Sequence, residues 1–148
     1  MPSITVREHV RAPRDLVFRL ACRIEDIQKY AEPVQKIEIV ERGEGYVVSA
    51  WTVLLQGRPL RWTERDEFDA ENFVIRYRQV KGDLAKFEGD WTFLEMDGGT
   101  DVTLRVDFDL GIPMLAGLLN PIATALTKKS SEALVRAIKQ QAEEASGA

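Results

Sequence analysis

Three hairpin patterns in a row, closed by one long amphipathic helix, limit what this chain can become more than any other feature. "VQKIEIVERGEGYVVSAWTVLLQ" turns at Gly43-Glu44-Gly45, "RPLRWTERDEFDAENFVIRYRQV" near Asp69 to Asn72, and "LAKFEGDWTFLEMDGGTDVTLRVDFDL" at Asp97-Gly98-Gly99. The last arm puts Val102, Leu104, Val106, Phe108 and Leu110 on one side, the period of a strand with one dry face. "SITVREHV" alternates in the same way and supplies a seventh strand at the start. Between it and the hairpins, Leu16, Val17, Leu20, Ala21 and Ile24 keep helical spacing after Pro13 or Arg14, and a short second helix around Glu25 to Tyr30 ends before Pro33. The final helix is predicted from Asn120-Pro121, read as N-cap and first helical residue, through Ile122, Leu126, Ala133, Leu134, Ala137 and Ile138 to a polar, fraying "QQAEEASGA".

The expected class is α+β: a curved seven-stranded antiparallel sheet wrapped around a long C-terminal helix, with two short helices after strand 1, in one domain over residues 1–148. One helix cannot fill the whole inner face of so long a sheet. A mostly apolar cavity between helix and sheet follows. The stretch "KGDLAKFEGDWTF" raises the question of what occupies it. Ala85, Phe87, Gly89, Trp91 and Phe93 share the dry face, and Gly89 leaves a hole between Phe87 and Trp91. Glycine inside a strand marks a bulge or a close approach. The expected neighbour is the C-terminal helix or a ligand lying between it and the sheet.

Charge excludes some functions. The net charge is −4 with no basic block, which argues against nucleic-acid binding. Arg58, Arg61, Arg65, Arg76 and Arg78 are interleaved with Glu64, Asp66, Glu67 and Asp69, the pattern of a salt-bridged outer face. The lone Cys22 rules out an intrachain disulfide and reads as a small buried hydrophobe. Neither a signal-peptide pattern nor a membrane-length apolar run is present, so a soluble cytoplasmic protein is expected. The only histidine, His9, has the parity of the wet side of strand 1, and metal ligands are lacking, so no metal and no cofactor are expected. "RGEGYV" is a turn, without the third glycine of a dinucleotide fingerprint.

Two stretches carry more. In "LRWTERDEF", Leu60, Trp62, Glu64, Asp66 and Phe68 share one face and Arg61, Thr63, Arg65 and Glu67 the other. Either face brings charge into a partly apolar space, so Glu64 or Arg65 is placed to orient a polar ligand head. "GIPMLAGLLNPIATALTKK" is apolar beyond what burial needs. Its surplus, Met114 to Leu119, reads as a lid, a homodimer contact or a transient membrane-touching patch.

The element order resembles the helix-grip domains of the START and birch-pollen-allergen-like superfamily over nearly the whole chain. Gly82, Lys86, Gly89, Trp91 and Phe93 match a pattern of its coenzyme Q-binding and polyketide cyclase/dehydrase branch, as do Trp62 and Arg65 of "WTER". "VDFDLGIPMLAGLL" is similar to that branch's Phe-Glu-Phe followed by spaced leucines. The resemblance implies a hydrophobic small-molecule ligand (lipid, isoprenoid quinone or polyketide), bound for transport or chaperoning. A polyketide aromatase/cyclase is the alternative, with Arg65, Glu64 or Tyr77 moving protons or polarising carbonyls, and a ribosome- or protein-interaction module is the third reading. The implied wall is Trp51, Trp62, Phe73, Tyr77, Phe87, Gly89, Trp91, Phe93, Leu104 and Phe108 from the sheet, with Leu119, Ile122 and Leu126 from the helix.

Overall fold

β1 (Ser3–Val10) turns Ile4, Val6 and Val10 inward, as its alternation requires. α1 (Arg14–Cys22) follows Pro13 and buries Val17, Phe18, Leu20 and Ala21. A 3₁₀ segment, Ile24–Lys29, then buries Ile24 and Ile27. Six strands come next: β2 (Val34–Gly43), β3 (Tyr46–Leu55), β4 (Arg58–Asp69), β5 (Val74–Gly82), β6 (Lys86–Met96) and β7 (Gly99–Asp109). α2 (Ala116–Ser146) closes the chain. The computed structural model describes residues 3–31, 34–55, 58–109 and 116–147, without the side chains at 55, 58, 116–123 and 126.

The strands form one antiparallel sheet in the order β1-β7-β6-β5-β4-β3-β2. Each β2 to β7 neighbour is the next strand in sequence, so tight turns set the register. At the β6–β7 turn Asp97 (φ 49°) and Gly98 (φ 77°) both adopt the left-handed conformation a two-residue hairpin needs. β1 returns to pair with β7, from Ser3 opposite Asp107 to Val10 opposite Thr100. The helix-grip architecture is therefore present in full.

α2 packs mainly on β1, with smaller contacts to α1 and β7. Ser131, Val135, Ile138 and Ala142 form its buried stripe at helical spacing. Fully burying a side chain such as Val135 or Ile138 stabilises by about 1.5–3 kcal/mol. α2 packs closest to β1, and a space remains between it and the inner face of β3, β4 and β5. Among the described residues no helix is long and apolar enough to cross a membrane.

Three details correct the expectations. α2 begins at Ala116, so Asn120-Pro121 lies inside the helix rather than at its start. There the proline removes one backbone hydrogen bond near an end already rich in unpaired donors, a tolerable loss. The polar tail does not fray: Glu143 accepts the Arg11 backbone N–H at 2.9 Å, and the Ser146 hydroxyl donates to the Arg11 carbonyl at 3.1 Å. The space over Gly89 is taken by the sheet itself rather than by α2. A Cβ there would meet the Arg105 carbonyl oxygen of β7 and the Tyr77 hydroxyl. Tyr77 lies opposite Gly89 on β5, and its hydroxyl donates to that same carbonyl at 2.9 Å. Glycine thus lets a cross-strand tyrosine reach across β6.

Candidate functional site

The inner face of β3–β5 forms the wall of a cavity of about 70 Å³, several times what one water needs. Trp51 and Val53 of β3, Trp62 of β4, and Ile75 and Tyr77 of β5 form this wall. Phe87 and Trp91 of β6 extend it to Leu104 and Val106 of β7, and Ile24 and Ile27 close one side. α2 contributes Thr127, Ser130, Ser131 and Leu134.

The aromatic side chains hold one another in place. Trp51 and Trp62, directly opposite on β3 and β4, stack at 5.5 Å with ring planes 14° apart. Phe87 tilts against both Trp62 at 5.1 Å and Tyr77 at 5.7 Å. Their polar tips are already engaged. Trp51 Nε1 donates to Ser49 Oγ at 2.9 Å, Trp62 Nε1 to Glu64 Oε1 at 2.7 Å, and Tyr77 to Arg105.

Two carboxyls interrupt this apolar wall. Glu64 and Asp66 are 5% and 3% exposed, both line the cavity, and they stand two apart on the inner face of β4. They hydrogen-bond to each other. Burial pushes both up from the ordinary carboxylate range, because an ion loses its hydration there. Their neighbours then separate them. Glu64 accepts from Trp62 and from Asp66, which favours its charged form. Asp66 is pushed well up by burial, then by the Glu64 charge and the bond to it. Its Oδ1 is buried and has no hydrogen-bond partner among the described residues. Burial first, then the Glu64 and Asp66 charges, also raises the Tyr77 phenol well above its usual value. Burial, then Asp66, pushes the Cys22 thiol up to about 12. An acid beside its charged partner in a dry cavity can hold or move a proton.

The register decides between Glu64 and Arg65. Glu64 faces in. Arg65 faces the other way, its guanidinium 3.9 Å over the Tyr46 ring and 3.6 Å from Glu67. Arg65 therefore does not reach the cavity, because an odd step along a strand reverses the face. Of the other sequence-derived residues, Trp51, Trp62, Tyr77, Phe87, Trp91 and Leu104 line the cavity. Phe73 and Phe93 instead hold Phe18 of α1 edge-on, each at 5.4 Å, and Phe108 is core. Gly89 lies behind Tyr77 and lines nothing. Leu119, Ile122, Leu126 and the whole Met114–Leu119 patch fall outside the described side chains. His9 is half-exposed with Nδ1 2.7 Å from Asp101 Oδ1, away from the cavity. Among the described residues no acidic, histidine or cysteine cluster is arranged to hold a metal ion. Asp66 was missed as a functional residue, although it shares the parity of Trp62 and Glu64.

This geometry has parallels. The family model described as polyketide cyclase/dehydrase and lipid transport matches residues 10–135. The chain is 30% identical over 100 residues to the actinorhodin polyketide synthase bifunctional cyclase/dehydratase of Streptomyces coelicolor, covering 66% of this chain. The match covers only 32% of that longer protein. TTHA0849 from Thermus thermophilus superposes with a TM-score of 0.93 at 32% identity, over 98% of this chain and 99% of that one. The Zhui aromatase/cyclase from Streptomyces sp. R1128 gives a TM-score of 0.83 at 28% identity, over 96% and 93% of the two chains. With the sheet, the grip on α2 and the family match in agreement, the chain belongs to the polyketide cyclase/dehydrase and lipid transport family.

Proposed function

We propose that this protein binds an apolar small molecule, of lipid, isoprenoid quinone or polyketide type, in the cavity between the sheet and α2, and carries or shelters it. The observation behind this reading is the wall itself: stacked indoles, phenyl and aliphatic side chains, with polarity confined to one carboxyl pair and a few hydroxyls. Apolar burial at about 25 cal/mol per Å² holds such a ligand without many polar anchors. Native mass spectrometry of freshly purified protein, followed by denaturing extraction, tests it. A released apolar compound, or binding of added quinone or fatty acid, is the expected result. No release and no binding of any apolar compound would end this reading.

A second reading, an aromatase/cyclase-type enzyme, is favoured by the Glu64–Asp66 pair. Burying two carboxyls costs stability through desolvation, a cost that a proton-transfer role would account for. A protonated Asp66 beside a charged Glu64 would supply a general acid and a general base to a carbonyl-bearing chain. Glu64→Gln should then abolish turnover of a poly-β-keto substrate while the fold persists. Unchanged turnover would remove the pair from the mechanism.

A further inference from the structure

The hydrogen-bond donors of the cavity are unevenly spent. On the sheet side, the indole N–H groups of Trp51 and Trp62 and the hydroxyl of Tyr77 all donate to partners within the protein. No lysine, arginine or histidine lines the cavity among the described residues. α2 differs. It lines the cavity with Thr127, Ser130, Ser131 and Leu134, whose spacing of three, four and seven residues from Thr127 is that of one helical face. All but Leu134 carry a hydroxyl. Ser131 is only 4% exposed, and Thr127 and Ser130 are half-buried. A serine or threonine within a helix can turn its hydroxyl back to the carbonyl four residues earlier. Here none of the three hydroxyls has a hydrogen-bond partner among the described residues. Nor is the Ser131 oxygen sealed in by packed atoms, as Asp66 Oδ1 is. A buried residue of α2 therefore presents an unspent donor to the cavity, facing a wall whose own donors are taken.

Resting on the small-molecule reading above, we infer that the ligand carries a carbonyl oxygen, of a ketone or an ester, that accepts a hydrogen bond from the Ser131 hydroxyl of α2. Ser130 and Thr127 flank this contact, and the ligand's apolar body faces the aromatic wall of the sheet. An unpaired polar group in a dry site is costly for protein and ligand alike, and pairing the two removes both costs. A pure hydrocarbon fills the same space but leaves Ser131 without a partner.

Calorimetric titration of wild type and Ser131→Ala with two probes of one shape, 2-acetylnaphthalene and 2-ethylnaphthalene, tests this. The probes differ in the carbonyl alone. The substitution removes the hydroxyl and puts a better helix former into α2, so the fold should persist. The inference expects the ketone to bind the variant about fivefold more weakly than wild type and the hydrocarbon to bind both equally. A ketone affinity that does not change, or that changes only as much as the hydrocarbon's, overturns the inference and leaves the apolar-cavity reading standing. Binding of neither probe to wild type overturns both. Wild type also gives a readout of its own. With the ketone isotopically labelled at its carbonyl carbon, the NMR signal of the bound probe should lie downfield of its position in hexane, because a donated hydrogen bond draws electron density from that carbon. A hexane-like position overturns the inference even if Ser131→Ala does not fold, and a downfield signal that persists in the folded variant assigns the donor elsewhere and overturns it too.

Discussion

Replacing Gly89 by alanine tests why β6 carries a glycine at its centre. The added Cβ would fall inside contact distance of the Arg105 carbonyl oxygen and 2.7 Å from the Tyr77 hydroxyl. The first obstacle is backbone in a paired strand, so it cannot swing aside as a side-chain tip can. Two costs add. Displacing Tyr77 strands a buried hydroxyl and its carbonyl partner, about 1–3 kcal/mol. Prying β6 from β7, or bending either, adds about 1–3 kcal/mol of overpacking. Alanine recovers about 0.5–1 kcal/mol of the intrinsic disadvantage of glycine in a strand. The net expectation is a loss of about 1–5 kcal/mol, well above an ordinary surface substitution. Urea unfolding should show a lower midpoint with an unchanged slope. Combining Gly89→Ala with Tyr77→Phe should cost less than the sum of the two, because both act on one contact. A loss below about 0.5 kcal/mol, the size of an ordinary surface substitution, would refute the close-approach argument.

Further outcomes follow from the same geometry. Glu64 and Asp66 are raised in the folded state, so the native protein holds more protons than the unfolded chain above the ordinary carboxylate range; stability must fall as pH climbs through that window. Glu64→Gln/Asp66→Asn removes this term, so its stability relative to wild type should grow as pH rises above the ordinary carboxylate range, and a constant difference would contradict the burial argument. Trp62→Phe takes a donor from Glu64 and should cost about 1–3 kcal/mol in the same unfolding assay, with a null result arguing against the bond. With its thiol pushed up to about 12, Cys22 should react slowly with a disulfide reagent near neutral pH and quickly once urea unfolds the chain; fast native labelling would show the thiol to be neither buried nor near Asp66. Glu143→Ala, which removes the acceptor, should speed amide exchange at Arg11, and unchanged exchange would return the C-terminus to the frayed tail its sequence resembles.

Much of the fold is legible in the sequence because alternation and turn residues act locally. Gly45, with φ 76°, and the Asp97-Gly98 pair mark two turns where the chain reverses. The limits of such reading lie where a decision is not local. Both faces of β4 carry charges, so periodicity alone leaves Glu64 and Arg65 equivalent; pairing with β3 and β5 breaks the tie and brings Asp66 in with Glu64. Parity gives a residue's face but not its distance along the strand from α1 or α2. Hence Phe73 and Phe93 share the inner surface with Trp91 yet end around Phe18. Gly89 announces a close approach without naming the visitor, a tyrosine one strand away bonded to a carbonyl two strands away. The last turn of α2 looks like a disordered end because Glu143 and Ser146 find their partner 132 and 135 residues earlier, at Arg11.

The claim that an apolar molecule sits between the sheet and α2 has a built-in reporter. The chain has three tryptophans, and Trp51, Trp62 and Trp91 all line the cavity. Titration with 2-naphthol, followed by the indole N–H signals in an NMR spectrum, is therefore the most direct measurement. The account predicts that all three signals move together and saturably, while the amides of the outer β-sheet face stay still. Indole signals that do not move up to about 1 mM probe, the weak end of specific binding, would contradict it.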